Sequence, residues 1–133
     1  MNITNQVIIL SAESSKNTDE GNRQRTESLK GCLQDIGISF KEALGVFNNE
    51  PAETSLVAIV NNDAEYQAVR DFAFKTFDQQ AIIHQDANQE AYLVFPNEHL
   101  KRLGRLEAVS KEVAIAKGNY TLMGDVYYTT IKR

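Results

Sequence analysis

The stretch V-I-I-L-S-A-E-S-S, residues 7–15, is the segment from which the fold can be worked out. Four consecutive apolar residues, Val7–Leu10, predict a buried strand. Small and polar residues follow at once, and the segment 13–22 has no periodicity, which is typical of a loop. A buried strand that ends in hydroxyls and a carboxylate forms either a surface turn or one wall of a ligand site.

Helices and further strands are predicted from the residues beyond this first strand. Apolar positions at helical spacing predict a helix over 23–36, with Gly37 as its C-cap, and a second helix over 64–77 after a cap at Asn61–Asp63. Extended and turn patterns predict the remaining elements: strands at 40–47, 54–60, 80–84 and 91–95, a short helical turn at 99–103, and strands at 106–116 and 120–131 around a turn at 117–119.

The resulting order, β-α-β-β-α-β with extra C-terminal strands, is that of a split βαβ, ferredoxin-like sandwich. We therefore predict an α+β fold and a single domain over residues 1–133. The helices should cover one face of the sheet and leave the other open. Apolar residues predicted on the open face favour a homo-oligomer, since such a face usually meets a partner: Val46, Phe47, Val126, Tyr127 and Tyr128.

Charge and composition exclude several classes of function. The net charge of −4 and scattered basic residues argue against a nucleic-acid partner. No apolar run reaches the length of a membrane helix, and no signal peptide is apparent. The single cysteine, Cys32, fits a reducing cytoplasm and is interpreted as a small buried residue. His84, His99 and Cys32 lack metal-ligand spacing, so no metal is expected.

Two carboxylates stand at the starts of predicted strands. Glu53 precedes the apolar strand 54–60, and Glu90 precedes the strand at 91–95. In a split βαβ sheet the first and third strands are neighbours, so the fold or a neighbouring subunit can bring such sites together. The alternative is that both are surface-turn carboxylates. The residues alone therefore indicate a small α+β domain with an acidic ligand site or two acidic turns.

Five short motifs, in order along the chain, resemble the phage-encoded S-adenosylmethionine (SAM) lyases, formerly called SAM hydrolases. The first is L-S-A-E-S-S, followed by Arg23 and Arg25 in the first helix. The others follow in the same order as in the family: Gly45-Val46-Phe47, where the family has Gly-x-Tyr, then Glu53-Thr54-Ser55-Leu56-Val57, Asn88-Gln89-Glu90-Ala91 and Gly118-Asn119-Tyr120-Thr121-Leu122.

The resemblance implies a trimer of ferredoxin-like subunits, shaped like PII signalling proteins, with active sites between subunits. It implies cleavage of SAM into 5′-methylthioadenosine and homoserine lactone with no metal or cofactor, by which phages deplete host SAM and blunt restriction. Glu53 and Glu90 are then the expected catalytic-site carboxylates, acting in binding and orientation. The expected substrate-binding residues are Ser11, Ala12, Ser14, Phe47 and Gln89.

Two other functions remain open at this point. A non-catalytic PII-like trimer that binds an adenine nucleotide shares the element order, although the loop at 13–22 offers one lysine against the carboxylates of Glu13, Asp19 and Glu20. Such a loop suits a cation better than a triphosphate. An inhibitor that acts by protein contact alone is compatible with the acidic charge, but no motif supports it.

Overall fold

A computed structural model describes residues 6–132 of the chain. The elements are β1 (Val7–Leu10), α1 (Asp19–Asp35), β2 (Phe40–Val46), β3 (Glu53–Ile59), α2 (Asp63–Asp71), a π-helical turn (Phe72–Thr76), β4 (Ile82–Gln85), β5 (Ala91–Val94), β6 (Leu100–Val109), α3 (Lys111–Lys117), β7 (Tyr120–Met123) and β8 (Val126–Ile131). This content of helices and strands confirms the predicted mixture of the two.

The strands form a closed antiparallel barrel in the order β1-β3-β2-β7-β8-β6-β5-β4. β1 pairs with β3 on one side, where Leu10 lies opposite Leu56, and with β4 on the other, where Val7 lies opposite Gln85. The prediction that the first and third strands are neighbours is therefore confirmed. Strands β7, β8, β6 and β5 lie in that order between β2 and β4 and close the barrel.

Closure of the barrel makes the prediction of an open sheet face wrong. Side chains alternate along each strand, so one face of β1 and β3 packs against the helices and the other points into the barrel. Ile8 and Leu10 belong to the first of these cores, and Val7 and Ile9 belong to the second. Tyr128, predicted on the open face, is 3% exposed and packs inside the barrel.

The prediction was also wrong in the C-terminal part. Strand β6 begins at Leu100, where a helical turn over 99–103 was predicted, and the second part of the predicted strand 106–116 is helix α3. The caps explain α3: the Ser110 hydroxyl accepts a hydrogen bond from the Val113 N–H, and Gly118 closes the helix at φ 73°. The predicted strand 120–131 is a hairpin, since Gly124 at φ 61° allows a turn between β7 and β8.

Helix α1 begins four residues before its predicted start. The Thr18 hydroxyl caps it by accepting from the Gly21 N–H at 3.0 Å, and Asp19 and Glu20 carry negative charge in its first turn. Residues 19–22, four of the ten in the predicted loop at 13–22, are therefore the beginning of a helix. None of the helices within residues 6–132 is long and apolar enough to cross a membrane.

We expect the stability of the fold to fall below about pH 6.5 because of His84. Its Nε2 lies 2.8 Å from the Gln6 side-chain oxygen and its ring 4.3 Å from that of Tyr66. Burial lowers the pKa of His84 from 6.5, partly offset by Asp86. The folded chain thus binds fewer protons than the unfolded chain, and stability is lost as the pH falls from 6.5 through the folded pKa.

Thermal unfolding between pH 5 and pH 8 tests this. His84→Gln should flatten the acid limb of the melting-temperature profile, because glutamine does not ionise. His99→Gln makes the same change at an exposed position and should leave the acid limb as in the unmodified chain. An unchanged profile for His84→Gln would contradict the assignment.

Candidate functional site

The Glu53 end of the barrel is the end at which β1 and β2 finish and β3 begins. Gly45 of β2 lies opposite Glu53, and Leu10 of β1 lies opposite Leu56, three residues into β3. Residues 11–14 therefore leave β1 beside the start of β3, and Phe47 follows β2 at the same end. Of the residues predicted from the sequence, Ser11, Ala12, Ser14, Phe47 and Glu53 come together here.

Gln89 and Glu90 lie at the opposite end of the barrel. The end of β4, Gln85, lies opposite Val7 at the start of β1, so the hairpin at 86–90 is a strand length away from Glu53. Arg102 donates to the two carboxylate oxygens of Glu90, from Nε at 3.0 Å and from a terminal nitrogen at 3.4 Å. Gln89 occupies the turn at φ 66°. A single chain does not bring Glu53 and Glu90 together.

Hydrogen bonds from Ser11 and Glu13 fix the segment after β1 against β3. The Ser11 hydroxyl donates to the Thr54 carbonyl at 2.9 Å and accepts from the Glu13 N–H at 3.0 Å. The Glu13 carboxylate accepts from the Thr54 N–H at 2.7 Å. These side chains extend the β1–β3 pairing past the end of the strand. Ser11 is buried and its hydroxyl is engaged within the chain.

Two residues of α1 hold the rest of this loop. The Asn22 amide accepts from the Ser14 N–H at 2.9 Å and donates to the Ser14 carbonyl at 3.1 Å. Arg25 donates to the carbonyl of Ala12 at 2.5 Å and to that of Phe77 at 2.6 Å. Ala12 itself is buried against the helices. Arg25 therefore joins the loop after β1 to the chain that leaves the π-helical turn.

We expect Arg25→Lys to destabilise the fold by about 2 kcal/mol, since lysine lacks the planar fork of donors with which Arg25 bonds the Ala12 and Phe77 carbonyls at the same time. Urea unfolding measures the change in the free energy of unfolding. Arg23→Lys is the matched control, because Arg23 makes an exposed ion pair with Glu20 on the same helix. Equal stability of the two variants would show that Arg25 does not hold the loop.

Glu53 is the carboxylate with a perturbed environment at this end. The protein atoms around it remove part of its hydration and raise its pKa above 4.5, and the negative charges of Glu13 and Glu50 raise it further. Glu53 nevertheless remains solvent-exposed in the single chain. Phe47, which follows β2 at the same end of the barrel, has 57% of its surface exposed. This end of the barrel thus offers concentrated negative charge and an exposed aromatic ring, two features that attract an organic cation.

The sequence did not identify two contributors to this geometry. The sequence predicts Glu13 only as one of three acidic residues in the loop at 13–22, yet its carboxylate accepts a hydrogen bond from the Thr54 N–H and adds negative charge near Glu53. Arg25 was noted as part of a motif, but its two carbonyl partners are 13 and 52 residues away in the chain.

Within residues 6–132, His, Cys, Asp and Glu side chains form no group of three that could hold a metal ion.

Comparison with known protein families identifies the family of this chain. The family model of the S-Adenosylmethionine lyase family matches residues 8–131, from β1 to the last residue of β8. No curated protein matches the chain. Because the family match covers the whole barrel, including both the Glu53 end and the hairpin of Glu90, the chain belongs to the S-adenosylmethionine lyase family and is an enzyme whose small-molecule substrate is SAM.

Proposed function

We propose that the enzyme cleaves SAM into 5′-methylthioadenosine and L-homoserine lactone, and that the Glu53 end of the barrel forms its active site. The observation that carries this proposal is the cluster of three carboxylates formed by Glu53, Glu13 and Glu50. Within this cluster the pKa of Glu53 is raised. A cationic substrate relieves the repulsion among these charges. SAM carries a sulfonium and an ammonium group, so it gains more from this site than a neutral nucleoside does.

The reaction needs no group from the protein as nucleophile or base. The substrate's own carboxylate oxygen attacks its Cγ, the Cγ–S bond breaks, and the bonding pair leaves with sulfur as neutral 5′-methylthioadenosine. No proton is transferred. Holding the methionine chain in the attack geometry can lower the barrier by roughly 7–11 kcal/mol.

The positive charge on sulfur disappears as the bond breaks, so a carboxylate directly against sulfur would stabilise the ground state. We therefore assign Glu53 to the ammonium group and to orientation of the chain. Phe47 packs beside the methionine chain and excludes water. Ser11, Ala12 and Ser14 form the backbone wall of the site, since the Ser11 hydroxyl and the Ala12 carbonyl are already engaged.

We further propose that three copies assemble, each with a ferredoxin-like arrangement built on β4-β1-β3-β2. One support is a row of apolar residues across the outer faces of β2, β7 and β8, where Leu44 lies opposite Leu122 and Leu122 opposite Tyr127. Leu44 is 45% exposed. In such an assembly Gln89 and Glu90 complete the site from a neighbouring subunit, because they lie far from Glu53 in their own. Light scattering gives the mass that tests this.

In the cell, the proposed role is depletion of host SAM by a phage, in the bacterial cytoplasm, with a consequent loss of SAM-dependent restriction. The net charge of −4 supports a small cationic ligand over nucleic acid. Co-expression with a SAM-dependent restriction system tests the role, since active enzyme should restore plating of unmodified phage.

Incubation of the purified enzyme with SAM tests the chemistry. Mass spectrometry should show equal amounts of 5′-methylthioadenosine and homoserine lactone. In heavy-oxygen water, attack by the substrate carboxylate leaves the γ-oxygen unlabelled, whereas attack by water labels the hydroxyl of homoserine. SAM that persists at stoichiometric enzyme would overturn the proposal, and calorimetry with ATP would then test the nucleotide-binding alternative.

A further inference from the structure

The turn from Phe47 to Glu50 begins the connection between β2 and β3 that ends at Glu53. The Glu50 N–H donates to the Phe47 carbonyl at 3.0 Å. The two residues between them have positive φ, 52° at Asn48 and 59° at Asn49, as in a type I′ turn. Left-handed backbone costs free energy at a residue with a Cβ atom. All four residues of the turn are exposed, so hydrogen bonds to the rest of the chain must hold it in place.

Two such hydrogen bonds tie the turn to the residues that follow helix α3. The Asn49 N–H donates to the Gly118 carbonyl at 2.9 Å. The Asn48 N–H donates to the side-chain oxygen Oδ1 of Asn119, also at 2.9 Å. A Cβ atom at Gly118 would lie 2.6 Å from the side-chain nitrogen of Asn49, so the two segments are in close contact. The stretch that begins at Gly118 is the fifth of the sequence motifs, and the proposed site gives it no role.

Asn119 is itself fixed to the barrel through Thr129 of β8. Thr129 is 3% exposed, and its hydroxyl donates to the Asn119 carbonyl at 2.7 Å. The amide nitrogen of the Asn119 side chain donates to the Lys117 carbonyl at 3.3 Å, which leaves Oδ1 facing Asn48. The backbone and the side chain of Asn119 are therefore both held. A residue that is locked in this way can set the position of an exposed segment that it binds.

We propose that Asn119 is a positioning residue for the cleavage of SAM, because its side-chain oxygen holds the Phe47–Glu50 turn in place. This inference rests on the proposed function, in which Phe47 packs beside the methionine chain. Glu50 belongs to the cluster of three carboxylates, and its negative charge acts on Glu53. Displacement of the turn therefore moves an apolar and a charged group of the site together. Asn119 acts through these residues and does not itself contact the substrate.

Steady-state kinetics of Asn119→Ala with SAM test this role. The substitution removes the acceptor for Asn48 and should lower kcat about tenfold while KM stays within about threefold, since a displaced turn disturbs the attack geometry more than binding. Asn119→Asp keeps an oxygen at the same place and should retain kcat within about threefold. Asn62→Ala is the matched control. The Asn62 side-chain oxygen accepts from the Glu65 N–H at 2.9 Å beyond the other end of β3, so its loss should lower the melting temperature and leave kcat unchanged.

Amide hydrogen exchange measured by NMR reports on the turn itself. Asn119→Ala should speed exchange at Asn48 about tenfold, because one hydrogen bond is lost, and should leave the strands of the barrel as protected as before. A general loss of stability would instead speed exchange throughout the barrel. Melting temperatures verify that each variant is folded at the assay temperature. If Asn119→Ala does not fold, Asn119→Ser takes its place, since the serine side chain is too short to reach Asn48.

The outcomes separate this inference from the function on which it rests. A lower kcat in Asn119→Ala, with recovery in Asn119→Asp and faster exchange at Asn48, supports the positioning role. A kcat for Asn119→Ala within about twofold of the unmodified enzyme overturns that role and leaves SAM cleavage standing. An equal loss in Asn62→Ala, or no recovery in Asn119→Asp, overturns it as well. An unmodified enzyme that consumes no SAM overturns the proposed function instead.

Discussion

Replacing Glu53 by glutamine is expected to lower kcat/KM for SAM about 100-fold while leaving the enzyme as stable as before or more stable. The loss follows from removing a charged contact to the ammonium group, which is typically worth about 1.5–3 kcal/mol. The stability gain follows from the raised pKa of Glu53, since folding holds its negative charge in a partly dehydrated site near Glu13 and Glu50.

The pH dependence of stability distinguishes this explanation from simple damage. A carboxyl group whose pKa is higher in the folded state stabilises the fold at low pH, and that contribution is lost as the pH rises from 4.5 through the folded pKa. Melting temperatures of Glu53→Gln and the unmodified enzyme should therefore agree near pH 4, and the variant should melt at the same or a higher temperature at pH 7.

A matched control for this variant is available on the same chain. Glu98→Gln removes an exposed carboxylate in the turn between β5 and β6 and should keep full kcat/KM. Full activity in Glu53→Gln would remove Glu53 from the active site. A variant that is inactive and also unfolds at a lower temperature at pH 7 would show that the residue acts mainly through the fold.

Replacing Gly104 by alanine is expected to destabilise the barrel by at least about 3 kcal/mol. Gly104 has φ 100°, and a Cβ atom there would overlap the carbonyl of Ile131 in β8. The residue stands where β6 changes partners: Leu100–Gly104 pairs with β5, and Arg105–Val109 pairs with β8. A shift of the backbone at this point would separate the two halves of the sheet. Urea unfolding measures the change.

Substitutions at two other glycines separate the free-energy cost of the backbone conformation from the cost of the atomic overlap. Gly124→Ala has a positive φ of 61° with open space around the added atom, so it should cost about 1 kcal/mol from the backbone conformation alone. Gly31→Ala lies inside α1 with no atom in the way and should stabilise the chain by about 0.5–1 kcal/mol. If Gly104→Ala costs no more than Gly124→Ala, the proposed overlap does not constrain closure.

The sequence predicted well the elements that carry their own signals. Val7–Leu10 is a continuous apolar run, the strand from Glu53 contains the apolar run Leu56–Ile59, and the helix after Asn62 has both a cap and an apolar face. The region after residue 98 could not be predicted in this way. Gly104 was not recognised as the point where a strand changes partners, and Val113 and Ile115 favoured a strand although the caps at Ser110 and Gly118 make a helix.

The candidate site could be predicted in part, because some of its residues stand next to strands that the sequence predicts. Ser11, Phe47 and Glu53 each stand next to a strand end, and strand pairing alone brings them together. Glu90 also stands next to a strand end, but the antiparallel direction of β4 against β1 places it at the far side. The contacts of Arg25 and Glu13 depend on loop conformation, which residue patterns do not specify.

The ring of eight strands has a consequence for how copies of this protein can meet. An open sheet has two border strands with free N–H and C=O groups, to which a strand of another chain can add. Within residues 6–132 every strand has a strand neighbour on each side over at least part of its length, so no strand leaves a whole side free for such addition. We therefore expect association between copies to depend mainly on side chains, and single substitutions on the outer surface should control it without altering the hydrogen-bonded ring. The same property protects the enzyme from the strand-to-strand polymerisation that threatens small sheet proteins when they are produced in large amounts.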